Sequence, residues 1–390
     1  MPNQRIAWKA YLTAFLLFIS SRLILLLAVA FSARFIPEKS GSEYWNVGPS
    51  WNTYLLRYDS GWYLKIAVEG YTYDGNDLVQ QPVVFYPLYP LVSRIFSRIL
   101  DIDQTITLLI VSNLSISLAV LLIFKLIKNE YSEDIALNAI MLLCYFPTSL
   151  FFSTGYTESL TLLIIACFFL LLKAEHYIPA AVCAGLAMAA RSTGIVLLPI
   201  LLWAILKRFL KQHNMGIIYA LIYMTLAMLL ATSGLWSYMI YLWMNFNQPW
   251  AFMTAQRAWH GNDIGNNFLK VMTLQPFYHL GDVLRVGLET YTLDPWFFLL
   301  FLVLTCLFGR ILSVPYNVYI LGILFLPYFT LSGRSGFKSF TRYIILAFPV
   351  FIIIGHILKR NQWIAIIISI FFGIMLFIYT ALFAQWYWAG

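Results

Sequence analysis

The run YLTAFLLFISSRLILLLAVAFSARF, residues 11–35, decides the kind of fold this chain adopts. It is apolar almost throughout, without the in–out alternation of a strand. At ~1.5 Å of rise per residue it is long enough to cross ~30 Å of hydrocarbon. Comparable runs recur from end to end. Only helices and closed barrels satisfy every backbone donor and acceptor inside a bilayer, and continuous apolar runs exclude the barrel. Composition agrees: 61% of the 390 residues are hydrophobic and 11% charged, where a soluble domain has roughly a quarter charged. The chain therefore reads as an all-α polytopic membrane protein, a single integral domain over residues 1–390. The first run is too long for a signal-peptide core and lacks a cleavage site, so it is expected to stay as the first span.

Expected spans lie near 11–35, 104–127, 134–152, 156–173, 178–190, 193–208, 216–244, 295–312, 315–332, 341–359 and 362–385, about eleven in all. The segment 85–100, FYPLYPLVSRIFSRIL, is left out of that count. Its sixteen residues reach only about 24 Å as a helix. Pro87 and Pro90 interrupt its start, and Arg94 and Arg98 share one face, which suits a helix lying in the outer interface. With the N-terminus inside, the short turns carrying Lys125/Lys128, Lys207/Arg208/Lys211 and Lys359/Arg360 become cytoplasmic, as the positive-inside rule asks. The outer loops are then 36–103, 245–294 and 333–342. Lysine and arginine flanking the spans account for the net charge of +8, so it does not point to nucleic acid. Cys144, Cys167, Cys183 and Cys306 sit singly in apolar segments, implying neither disulfides nor a metal site. The histidines at 176, 213, 260, 279 and 356 have no ligand spacing, and no cofactor is implied.

The residues that carry chemistry gather on the outer face. The first outer loop contains RYDSGWYLKIAVEGY, residues 57–71. There Asp59 opens a helical-looking stretch beside Arg57, Tyr58, Trp62 and Tyr63, with Glu69 further on. A partly desolvated carboxylate in that position can take a proton from a hydroxyl, and the aromatics can stack on a sugar. Glu158 begins an apolar span, where an acid is either an ordinary first-turn residue or part of a site. Arg191, between two apolar helices, needs an anionic partner. Arg22, deep in the first span, is costly unless paired, and Glu158 is a candidate partner. In GRSGFKSFTRY, residues 333–343, three cations lead into a helix start, an arrangement suited to phosphate. Arg342 is the first candidate to hold a phosphate there, followed by Arg191, then Arg334 and Lys338. No Walker-type GxxxxGK[ST] is present.

Taken in order, RYDSGWYLKIAVEGY, VFYPLYPLVSR (84–94), FPTSLFFSTGYTESL (146–160), AGLAMAARSTGIVLLP (184–199), AFMTAQRAWH (251–260) and SGRSGFKSFTRYIILAFPVF (332–351) resemble the PIG-V family of polyprenyl-phosphate-mannose-dependent mannosyltransferases, within the GT-C membrane glycosyltransferases. The resemblance implies a GT-C-like helical bundle and a polyprenyl- or dolichyl-phosphate-mannose donor. It further implies a glycan, glycolipid or protein acceptor on the non-cytoplasmic face, and an inverting transfer that turns a β-linked donor into an α-linked product. The family's acidic residue in the first outer loop matches Asp59. Tyr58 stands where family members often have Trp, so the aromatic is kept. The membrane would be the inner membrane of a prokaryote or the endoplasmic reticulum of a eukaryote. The alternative is a transporter or flippase of lipid-linked sugars. That reading expects charges along a central path and paired half-repeats, whereas these charges collect at one face.

Overall fold

The structure, a computed structural model, describes residues 2–39, 51–211, 217–260, 277, 293–331 and 339–388. Among them every regular element is helical. The long apolar helices are α1 (Pro2–Phe35), α4 (Gln104–Glu130) and α9 (Ile217–Phe246). Between them lie α2 (Asp59–Val68), α3 (Leu88–Leu100), α5 (Glu133–Tyr145), α6 (Glu158–Lys173), α7 (Tyr177–Ala190) and α8 (Leu197–Lys211). After two single turns near 251–260 come α10 (Asp294–Phe308), α11 (Val314–Leu331), α12 (Phe340–Ile344), α13 (Pro349–Leu358) and α14 (Gln362–Ala384). Six stretches are long and apolar enough to cross a bilayer, starting at Trp8, Gln104, Ser192, Ile217, Asp294 and Gln362. The chain is a multi-pass membrane protein.

Two expected spans are broken where proline intervenes. The stretch 134–152 is helical only to Tyr145. Phe146 turns extended, and Pro147–Phe152 follows as a fully buried 3-10 helix. The stretch 341–359 divides into α12 and α13, with Pro349 opening the second. Proline lacks the N–H and restricts the residue before it, so neither helix runs through. In the segment 85–100 the helix begins at Leu88. Its exposed apolar side chains Leu91, Ile95 and Ile99 recur at four-residue spacing. Of the two arginines four residues apart on this helix, Arg94 is not free for headgroups. It turns inward and donates to Ile66 O at 3.0 Å and Ala67 O at 2.5 Å, satisfying the carbonyl end of α2.

Arg22 explains how the break after α5 is tolerated. Its partner is not Glu158, as its burial in the first span led one to expect, but the broken backbone itself. Nη1 donates to Ser149 O (2.8 Å) and Ser153 Oγ (3.0 Å), Nη2 to Cys144 O and Ser149 Oγ (both 3.0 Å), and Nε to Ser21 Oγ (3.2 Å). All five N–H donors of the guanidinium are used. Irregular backbone at membrane depth survives only where protein satisfies it, and here one arginine does so. A second device is close helix contact. A Cβ on Gly234 of α9 would stand 2.0 Å from Gly185 O of α7, so the two backbones meet where neither helix carries a side chain.

Replacing Arg22 by Met removes the guanidinium donors from two buried carbonyls, leaving Cys144 O only the Ser149 hydroxyl. The expected cost is about 3 kcal/mol, read as a lower unfolding temperature in detergent. Arg22→Lys should recover only part of it, since an ammonium cannot reproduce the planar fork. An Arg22→Met protein as stable as the parent would refute this account of the break.

Candidate functional site

Tyr58 sets the position of Asp59. Its backbone lies at φ 53°, ψ −119°, a conformation an L-residue adopts at a cost of order 1–3 kcal/mol. The surroundings hold it there. The Tyr58 ring packs edge-on against Trp386 and Trp388, its hydroxyl donates to Trp386 O, and neighbouring Arg57 donates to Ala384 O at 3.0 Å. The chain therefore turns sharply and starts α2 with Asp59 in its first turn, where the helix dipole favours a carboxylate. The Asp59 amide donates to Tyr156 Oη at 3.3 Å, and that hydroxyl donates to Arg57 O at 3.1 Å.

The Asp59 carboxylate meets Arg342. Arg342 Nη1 lies 2.6 Å from Asp59 Oδ2, and Arg342 Nε lies 3.2 Å from Glu158 Oε1, within ion-pair range though off the hydrogen-bond line. The same Glu158 oxygen accepts from Arg191 Nη1 at 2.6 Å. Four charges thus form one chain, Asp59–Arg342–Glu158–Arg191, with two of each sign. Glu158 is 1% exposed, and its Oε2 has no hydrogen-bond partner among the described residues. Asp59 is the open member at 24% exposure. Aromatic faces enclose the arginines. Arg342 sits 5.1 Å from the rings of both Tyr156 and Tyr343, and Arg191 sits 4.2 Å from Tyr343. Burial pushes the nearby Tyr63 phenol well above its ordinary pKa, with the Glu158 and Asp59 charges adding and the two arginines opposing. Tyr63 therefore stays neutral.

Local folding delivers each charge. Glu158 is the first residue of α6, immediately after the buried loop that Arg22 braces. Arg191 ends α7 in extended conformation, and the chain then folds back so closely that a Cβ on Gly194 would meet Ala187 C at 2.4 Å. Arg342 lies in α12, which Asp294 secures. Asp294 Oδ2 accepts from Phe340 N (2.9 Å), and Oδ1 from Thr341 N (3.2 Å) and Thr341 Oγ1 (2.5 Å). Asp294 escaped the sequence reading because an acid followed by proline ahead of an apolar run looks like an ordinary helix start.

Of the residues expected to act together, Asp59, Glu158, Arg191 and Arg342 converge, with Tyr63 beside them. Arg57 and Tyr58 are occupied in packing: the Arg57 guanidinium lies 4.9 Å over the Trp386 ring, and burial lowers its pKa. Trp62 stacks on Phe85 and borders an open cleft of about 370 Å³ lined also by Lys65, Tyr73, Asp74 and Gln81. Glu69 is exposed at the far end of α2, about 15 Å of helix from Asp59. Arg334 and Lys338 lie outside the described residues. No group of three or more His, Cys, Asp or Glu among the described residues could hold a metal ion.

An all-helical membrane protein with a buried acid–arginine site is the class so defined. The chain belongs to the PIG-V mannosyltransferase family, whose profile matches residues 10–278. It is 26% identical over 216 residues to a GPI mannosyltransferase 2 from Drosophila pseudoobscura pseudoobscura, a match covering 50% of this chain and 45% of that protein. The chain thus spans less than half the length of this curated relative. Among solved structures it is similar to the oligosaccharyltransferase of Archaeoglobus fulgidus with zinc and sulfate. That likeness has a TM-score of 0.48 at 14% identity, over 94% of this chain and 53% of that one. The same archaeal enzyme in complex with an inhibitory peptide and a dolichol-phosphate gives 0.42 at 13% identity, over 95% and 56%.

Glu158→Gln keeps the shape and removes the charge that two buried arginines share. Breaking a buried pair from one side costs about 3–5 kcal/mol, so the variant should unfold at a clearly lower temperature in detergent. Unchanged stability would mean the arginines do not depend on Glu158.

Proposed function

We propose that the chain is a GT-C mannosyltransferase, a single membrane domain that moves a mannosyl residue from polyprenyl- or dolichyl-phosphate-mannose to an acceptor hydroxyl on the non-cytoplasmic face. The observation that carries this reading is the Asp59–Arg342 pair at 2.6 Å, in a chain of this family. It puts a partly exposed carboxylate beside a cation able to grip phosphate. Asp59 is the general base, and it takes the acceptor proton as the acceptor oxygen attacks the anomeric carbon. Attack from the face opposite the departing phosphate inverts the linkage. Arg342 and Arg191, with Arg334 and Lys338 from the adjoining loop, supply the positive field in which the phosphate leaves. The cleft bordered by Trp62, three residues along α2 from Asp59, is the acceptor's approach. The acceptor is a glycan, a glycolipid or a protein. Family membership supports transfer over carriage of lipid-linked sugars, the other reading open from sequence.

Purified protein in detergent, given labelled polyprenyl-phosphate-mannose, should transfer the label to a hydroxyl acceptor. Asp59→Asn should lower the rate ~10²–10⁴-fold, the usual contribution of a general base. Arg342→Lys should also lower it, because lysine lacks the bidentate fork. Near-normal transfer by a folded, inserted Asp59→Asn protein would remove Asp59 from the role and turn attention to Glu69.

The topology belongs to the same proposal: about eleven spans, the N-terminus inside, α3 in the outer interface. The Asp59–Arg342 contact supports it, because an additional crossing by 85–100 would separate the first outer loop from the 333–342 loop. Single cysteines placed near Asp59 and near Arg334 should both react with an impermeant maleimide added to the outer side. Reaction from opposite sides would overturn the arrangement.

A further inference from the structure

Arg342 has two anionic neighbours that differ in kind. Glu158 is buried, shared with Arg191 and approached through Nε, on the inner side of the guanidinium. Asp59 is partly open and engages Nη1. The remaining amino group, Nη2, has only a 3.3 Å contact to Tyr343 Oη. The outer edge of the fork is therefore held by one open carboxylate and one long, weak hydrogen bond, while Nε faces a buried carboxylate oxygen at 3.2 Å without a hydrogen bond. Asp59 thus already occupies the edge of Arg342 that a departing phosphate would need.

Charge bookkeeping resolves that conflict. The rest of this argument rests on the reading of Asp59 as base toward a lipid-phosphate donor. In the step, an acceptor oxygen lone pair forms the bond to the anomeric carbon. The bond from that carbon to the phosphate oxygen breaks, with its electrons staying on the phosphate. The acceptor proton passes to Asp59. A singly charged phosphodiester becomes a phosphate monoester bearing about −1.5 to −2, while Asp59 becomes neutral. One negative charge thus leaves the carboxylate as another appears on the phosphate. We propose that Arg342 is the shared counter-ion of both: its Nη edge passes from Asp59 to the departing phosphate as Asp59 is protonated, while the buried Glu158 stays beside its Nε. The total charge of the site stays constant through the reaction, so no bare charge is created in a site with little water.

The exchange can be read by binding alone, with farnesyl monophosphate as the probe for the leaving group. Affinities are measured in detergent for the parent, Asp59→Asn, Arg342→Gln and the double variant, each checked for a cooperative thermal transition. Arg342→Met is the second background if Arg342→Gln does not insert. Asp59→Asn mimics the protonated carboxyl and frees Arg342, so it should bind the probe about tenfold more tightly than the parent, the scale of one charge-assisted hydrogen bond. That gain should vanish when Arg342 is also replaced. Equal or weaker binding by Asp59→Asn would overturn the proposal. So would a gain that persists without Arg342, which would reflect only the loss of a negative charge nearby. These affinities do not depend on turnover. Retained transfer by Asp59→Asn would thus defeat the base assignment separately.

Discussion

A charge removed from water must find its opposite, and in this chain Glu158 Oε1 is where that constraint is met. One buried oxygen lies 2.6 Å from Arg191 Nη1 and 3.2 Å from Arg342 Nε. It joins the start of α6 to the end of α7 and to the short helix α12. Isolated, any of these groups would cost several kcal/mol to bury. Linked, they require three separated segments to arrive together, and Asp59 completes the series from the first outer loop. Such a network contributes little net stability compared with apolar packing. Its effect is to specify one arrangement of the helix ends around the open carboxylate.

The bundle is shaped to deliver those ends. Proline breaks end α5 at Tyr145 and divide the 340–358 stretch into two helices, and the freed backbone turns toward the site. Arg22 satisfies the first break with all five donors. Tyr319 satisfies a carbonyl of the second, donating to Leu346 O at 2.9 Å, while Asp294 holds the amides of Phe340 and Thr341 at the start of α12. Both devices use a charged or polar side chain to complete backbone hydrogen bonding at depths where water cannot. The irregular segments and the reactive groups therefore coincide for one reason. The breaks place helix ends, and the charges they carry, at one level, and internal donors make such a backbone tolerable.

The helices were largely legible in the sequence, since continuous apolar runs leave no other way of crossing a bilayer. The breaks were less so. Pro147 and Pro349 are visible, but proline occurs within spans too: Pro327 lies inside α11. Whether proline ends a helix depends on what satisfies the freed carbonyls, and Arg22 lies more than a hundred residues away in the chain. The site divides similarly. Asp59, Glu158, Arg191 and Arg342 stand out singly because charges at the edge of hydrocarbon are expensive. Their pairing does not, because it joins residues up to 283 positions apart. Arg22 was matched to the wrong partner on those grounds: a buried cation asks for acceptors, and carbonyls at a helix break serve as well as a carboxylate. Asp294 passed unnoticed for the converse reason, being an acid in a place where acids are ordinary.

Tyr58 shows how closely positioning and strain are coupled here. A left-handed backbone on a bulky residue persists only where the surroundings over-determine it. Here they come from the far end of the chain: Phe383 in the last turn of α14, with Trp386 and Trp388 beyond it, surround its ring. The last helix thereby governs where the first outer loop starts α2, and with it the direction from which Asp59 meets Arg342. An aromatic of similar size could fill that socket. What the socket imposes is the turn: without it Asp59 would fall elsewhere on the helix start, and the carboxylate would lose the arginine that holds it.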